Sequence, residues 1–260
     1  MADSYKSITP EVAQKIKAVM TDIDGTITSG AGLKRDEHSF SPKVADVIRR
    51  FEASGVMVGF VSGRNIPDLE IYARELNITG PLIAENGALA KVKPGAELIE
   101  LGFKRDAVTI ALEKLNVLFP GAIENGQWNH TRAVDLILVL HGVASDEIRK
   151  HLTDTELLDS GYVFHLTPKG ARKGDTLLKM LRQDNFRNIS PEEILVLGDA
   201  PTDLSLFECF PLGILVLNPT IPPINLALLK EAARYVSESY CEDGFVEVAE
   251  HILKLRQDAK

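Results

Sequence analysis

Lys17-Ala18-Val19-Met20-Thr21-Asp22-Ile23-Asp24-Gly25-Thr26 runs a short apolar stretch straight into two carboxylates and a glycine. Its first five residues have the character of a strand buried on both faces, as in a parallel sheet. Asp22 and Asp24 stand two positions apart at the end of that strand, so their side chains point the same way, and Gly25 permits a tight turn behind them. One carboxylate so placed can attack phosphorus while the other moves protons, provided that the two environments differ. A polar turn favours the same residue types. The order of apolar strand, Asp-x-Asp and Gly-Thr is far more specific than a turn requires.

Working outward, four more runs share this character: Val56 to Val61, Pro81 to Ala84, Ile194 to Leu197 and Gly213 to Leu217. Helical patterns lie between them. Ser41 and Pro42 suit an N-cap and first helical position, Val44, Val47, Ile48 and Phe51 recur at helical spacing, and Gly55 follows as a stop. Pro67 to Leu76, Gly174 to Leu181 and Phe245 to Leu255 read similarly. Strands alternating with helices predict an α/β fold with a doubly wound parallel sheet. The middle of the chain breaks the alternation. Two short strands, a helix near Arg105 to Leu118, a strand at Ala133 to Leu140, a helix after Ser145 and Asp146 and a strand at Tyr162 to Leu166 predict an inserted α+β domain. The expected division is a core of residues 1–86 and 169–260 with an insertion of residues 87–168 over the ligand-binding edge of the sheet.

Composition bounds the function. With 260 residues, 45% of them hydrophobic, a stable core needs no metal or disulfide staple, and Cys209 and Cys241 have no metal-site spacing. A net charge of -8 opposes general affinity for nucleic acid or anionic lipid, but a bound divalent cation can reverse the local charge of an acidic pocket. No run is apolar enough for a membrane span and the opening Met-Ala-Asp-Ser-Tyr-Lys lacks a signal-peptide pattern, so a cytoplasmic location is expected. Gly30-Ala31-Gly32 lacks the third glycine and preceding strand of a dinucleotide loop and reads as plain loop.

Three further elements end apolar strands or open helices. Val61-Ser62-Gly63-Arg64 offers a hydroxyl and loop N–H groups to a phosphate. Lys173 opens a helix, where the dipole disfavours a cation, and a phosphate-binding role would account for it; Lys169 and Arg172 stand nearby as rivals. Gly198-Asp199-Ala200-Pro201-Thr202-Asp203 puts two carboxylates four apart, suited to Mg²⁺, with Asp203 also readable as an N-cap.

These four elements, in this order, resemble the haloacid dehalogenase superfamily of phosphohydrolases, and the resemblance runs from Val19 to Val248. The insertion resembles the cap of its Cof-like type IIB branch, which includes phosphoglycolate, sucrose-phosphate and mannosyl-phosphoglycerate phosphatases, and Glu85-Asn86-Gly87-Ala88 resembles that branch's entry into the cap. The resemblance implies a Rossmann-like core and an Mg²⁺-dependent phosphomonoesterase with Asp22 as nucleophile and Asp24 as general acid/base. It implies Thr26, Ser62, Gly63 and Lys173 as phosphate binders, and Asp22, Asp24, Asp199 and Asp203 at the metal. Arg64 and Asn86 are expected to face the substrate. One position departs from the pattern: Thr202 replaces the Asn of GDxxND and offers one donor in place of the amide's two. Arg132 and Lys169, flanking cap strands, are expected to bind the non-reacting end of a small soluble ester. That favours a carboxylated substrate such as phosphoglycolate over a sugar phosphate. A phosphomutase, a receiver domain and a catalytically silent binding protein are the competing readings. Chain length, the paired Asp of DIDGT and the intact acidic residues weigh against the last two.

Overall fold

The computed structural model describes residues 2–28, 40–183, 186 and 188–258. The Gly30-Ala31-Gly32 segment lies outside them. In chain order the strands are β1 (Asp3–Ser4), β2 (Ala18–Thr21), β3 (Met57–Val61), β4 (Leu82–Ala84), β5 (Leu89–Lys91), β6 (Ile123–Asn125), β7 (Leu136–Leu140), β8 (Thr155–Asp159), β9 (Phe164–Pro168), β10 (Ile194–Gly198), β11 (Leu212–Leu217) and β12 (Tyr235–Tyr240). The helices are α1 (Pro10–Lys15), α2 (Pro42–Ala53), α3 (Ile66–Leu76), α4 (Arg105–Leu118), α5 (Ser145–Arg149), α6 (Lys173–Met180), α7 (Leu204–Cys209), α8 (Pro223–Ala232) and α9 (Cys241–Asp258).

The large sheet has the order β1-β12-β11-β10-β2-β3-β4-β5, parallel throughout except for β5. Its central strands are apolar on both faces because both are covered. Val19, Leu195, Leu197, Ile214 and Val216 pack with α2, α3 and α9 on one side. Met20, Val196 and Leu215 pack with α6, α7 and α8 on the other. The sheet is therefore doubly wound, as the alternation predicts, and β2 lies between β10 and β3 so that three chemistry-bearing strand ends adjoin. Ser41 occupies the N-cap of α2 but makes no side-chain cap bond; Pro42 at the first position leaves one orphan donor fewer to satisfy. No helix among the described residues is long and apolar enough to cross a membrane.

The second sheet is antiparallel, order β6-β7-β9-β8, and α4 and α5 cover one face through Val108, Leu112, Leu115 and Ile148. Strand β5, expected in the insertion, instead pairs antiparallel with β4 and edges the large sheet, so that sheet extends past residue 86. The sequence reading also lacks β1, β6, β8, β12, α1 and α8. β8 reads Thr-Glu-Leu-Leu-Asp and β12 reads Tyr-Val-Ser-Glu-Ser-Tyr, mixtures that carry no continuous apolar run.

Between the sheets, Glu85, Asn86 and Gly87 take consecutive positive φ of 49°, 57° and 104°. Such backbone costs on the order of 1–3 kcal/mol per non-glycine residue and persists only where surroundings over-determine it. Here the fully buried Glu85 carboxylate accepts the N–H groups of Ala133, Val134 and Asp135 at 2.8, 2.7 and 2.9 Å. It thereby ties the segment leading into β7 of the small domain to the end of β4. Glu85→Ala would leave two buried donors, Val134 and Asp135 N–H, unpaired, so urea unfolding should show a loss of about 2 kcal/mol or more.

Candidate active site

The site lies at the carboxyl ends of β2, β3 and β10. Asp22 follows β2 directly; its Oδ1 accepts the Ile23 N–H at 2.6 Å and its Oδ2 accepts from Lys173 Nζ at 2.6 Å. Lys173 Nζ also donates to Asp203 Oδ1 at 2.7 Å, and the lysine is 1% exposed. Desolvation opposes the lysine's charge, but Asp203 and Asp22 outweigh it, so the ammonium titrates above its ordinary range. Lys173, not Lys169 or Arg172, is the lysine of the site: Lys169 is exposed and Arg172 pairs with Glu208.

Asp203 is a brace. Its Oδ2 accepts the N–H groups of Asp199 and Ala200, both at 3.0 Å, while Oδ1 holds Lys173. Asp199 accepts Thr26 Oγ1 on Oδ1 at 2.5 Å and Asn218 Nδ2 on Oδ2 at 2.7 Å. Thr26, expected at phosphate, thus serves Asp199. Gly25 has a φ of +84°, and a side chain there would run into Asp199 and Asn218. Thr202 makes no side-chain hydrogen bond among the described residues, so the departure at this position leaves Lys173 and Asp199 supported by other groups.

Oxygens of Asp22, Asp199 and Asp203 lie within 4.8 Å of one another. Burial, then Asp203 and Asp22, push the Asp199 carboxyl well up, and burial lifts Asp22 to about 6 despite Lys173. Closely spaced buried negative charge on hard oxygen donors fits a divalent cation such as Mg²⁺. All three carboxylates already accept hydrogen bonds on both oxygens; Asp203 differs in that it takes three, from Lys173 and from the Asp199 and Ala200 N–H groups. Asp24 stands apart from this group. Arg64 donates to both its oxygens at 2.7 Å and to the Tyr72 hydroxyl at 2.9 Å. The carboxylate of Asp24, expected at the metal, is thus held by Arg64, which was expected at substrate.

Ser62 is buried beside Asp22's strand, its Oγ accepting the Arg64 N–H at 3.3 Å. Asn86 and His165 approach Gly63 so closely that a Cβ there would lie 3.2 Å from Asn86 Oδ1 and 3.4 Å from His165 Cε1. Arg132, expected to read substrate, is buried and engaged: it pairs with Asp135 and donates to the Gly63 carbonyl. Asp135 also bonds His165 Nδ1 at 3.0 Å. Asp135, Tyr162 and Asn218 escaped the sequence reading. Asn218 carries a usable signal, since it follows an apolar strand as Asp22, Ser62 and Asp199 do.

A chemical class follows from the arrangement: a buried aspartate at a strand end, held by a lysine and adjoining oxygen donors for a divalent cation, is equipped for phosphoryl transfer. The chain belongs to the haloacid dehalogenase-like hydrolases, whose family model matches residues 19–119 and 126–248. A Methanoculleus marisnigri protein named phosphoglycolate phosphatase is 25% identical over 237 residues, covering 89% of this chain and 94% of that one. A Thermoplasma acidophilum crystal structure superposes with a TM-score of 0.74 at 23% identity, over 92% of this chain and 99% of that one. The Synechocystis sucrose-phosphatase, solved with sucrose and phosphate, gives 0.68 at 14%, over 92% and 98%.

Burial lowers the His165 pKa, and the Asp135 carboxylate only partly offsets that. The unfolded state therefore binds the proton more readily, so this group's contribution to stability falls as pH drops below about 6.5. Urea midpoints for the parent should decline between pH 7.5 and 5.5 more steeply than those of His165→Gln.

Proposed function

We propose that this hydrolase is a phosphomonoesterase that works through an aspartyl-phosphate on Asp22. The observation that carries the reading is the Lys173 ammonium bonded to both Asp22 and Asp203. It holds the nucleophile in place and presents positive charge where phosphate oxygens would gather. Asp22 and Asp199 would hold Mg²⁺, which supplies charge neutralisation to the transferring group.

An Asp22 oxygen attacks phosphorus in line, the bond from phosphorus to the ester oxygen breaks, and a proton from Asp24 reaches the leaving oxygen. Water then attacks the phosphorus of the acyl phosphate, its proton passes to Asp24, and Asp22 and inorganic phosphate are released. Arg64 holds both oxygens of Asp24 in the substrate-free state and must release one of them for Asp24 to carry the proton, and the Ser62 hydroxyl donates to the phosphate. Asp203 keeps Lys173 and the Asp199 loop in register. The small domain is the cap that closes over a small soluble ester and selects it.

Substrate class turns on that cap. The relatives' name points to phosphoglycolate. The engagement of Arg132 with Asp135 and Gly63, and the exposure of Lys169, favour instead a neutral, hydroxylated ester of the sugar-phosphate type. Binding a carboxylate through Arg132 would require breaking a buried ion pair, a loss of several kcal/mol.

Asp22→Asn should cut kcat by about 10³-fold or more with the circular dichroism spectrum unchanged. EDTA should abolish activity and Mg²⁺ restore it. A neutral polyol phosphate should exceed phosphoglycolate in kcat/KM by about tenfold, or ~1.4 kcal/mol; the reverse order would assign the carboxylated class.

A further inference from the structure

Asn218 is the hub of a contact between cap and core. It follows β11, and its amide is fully occupied: Oδ1 accepts from Thr220 N at 3.0 Å and Thr220 Oγ1 at 2.9 Å. Nδ2 donates one hydrogen to Asp199 Oδ2 and the other to the Tyr162 hydroxyl, each at 2.7 Å. An amide with all four places used has one orientation. Tyr162 belongs to the turn between β8 and β9, the tip of a cap hairpin. That tip rests on the core loop after β11. A side chain at Gly161 would strike Ile221 at 2.6 Å, and Asn225 Nδ2 reaches Asp159 Oδ2 at 3.5 Å.

The Tyr162 hydroxyl thus stands one hydrogen bond from Asn218 and two from Asp199. When the hairpin lifts, the second Asn218 hydrogen loses its acceptor, and the amide is held against Asp199 by three bonds in place of four. We propose that Tyr162 is a positioning residue that couples seating of the cap to the pose of Asp199, so that the core binds its divalent cation tightly only beneath a closed cap. This rests on the reading of Asp199 as a metal ligand. Because coupling between binding and closure is reciprocal, the cation must also favour the seated hairpin by the same factor.

The test titrates Mg²⁺ calorimetrically into the substrate-free parent, Tyr162→Phe and Asp199→Asn. Tyr162→Phe should weaken Mg²⁺ binding roughly three- to tenfold, below the ~10- to 100-fold typical when a group bonded directly to a metal ligand is lost. Saturating Mg²⁺ should restore its kcat. In the parent, Mg²⁺ should slow amide hydrogen exchange over residues 159–163, and in Tyr162→Phe this protection should vanish. Parent-like Mg²⁺ affinity in Tyr162→Phe, with or without a lower melting temperature, would reduce the contact to hairpin packing and overturn the coupling. Parent-like affinity in Asp199→Asn would remove the metal reading itself and the coupling with it.

Discussion

A single buried ammonium makes the carboxyl edge of the large sheet possible. Asp22, Asp199 and Asp203 come from two strand ends and are withdrawn from water together, which by itself would drive protons onto them. Lys173 supplies the positive charge that offsets this, and it does so from the first turn of α6, where the helix dipole resists a cation. Two carboxylates outweigh that half-charge at hydrogen-bond distance. The geometry in turn fixes α6: a Cβ at Gly174 would collide with the Ser205 carbonyl, so the helix that delivers the lysine packs directly on the chain entering α7. Catalytic charge and core packing are one constraint here.

The second set of buried charges lies where the cap meets the core. Glu85, Arg132, Asp135 and His165 are all buried, and their partners include one another, the Asn86 amide, the Gly63 carbonyl and three backbone N–H groups. Half-satisfied, such a network would be worse than an apolar contact; satisfied, it specifies one seating of the two domains. Arg132 therefore acts as a strut that holds the Ser62-Gly63 loop through a backbone oxygen. A cation close to an active site need not address the ligand.

The doubly wound core was legible because strands buried on both faces are written as unbroken apolar runs, and each such run ends in a residue with visible chemistry: Asp22, Ser62, Asp199. Lys173 was legible as an anomaly of position. What escaped falls under two physical causes. Strands such as β8 at the edge of the small sheet and β12 near the edge of the large one are only partly buried, so their mixed composition carries no run to detect. Pairings such as Arg64 with Asp24, Thr26 with Asp199 and Arg132 with Asp135 depend on reach and direction in three dimensions. Spacing along the chain reveals that a charge is nearby, and cannot say which neighbour claims it.

The insertion also sets an order of assembly. Asp22 and Lys173 are 151 positions apart, and the cap lies between them. During synthesis the strand that ends in Asp22 emerges with its β3 and β4 neighbours long before α6 and β10 exist, at ~5–20 residues per second. Closing a loop of that length costs entropy that only the completed central pairing of β2 with β10 offsets. The acidic strand end therefore waits, solvated and inert, until the cap has been made. A nascent chain of this design has no active site to protect from its surroundings, because the last ingredient of the chemistry arrives after the domain that governs access to it.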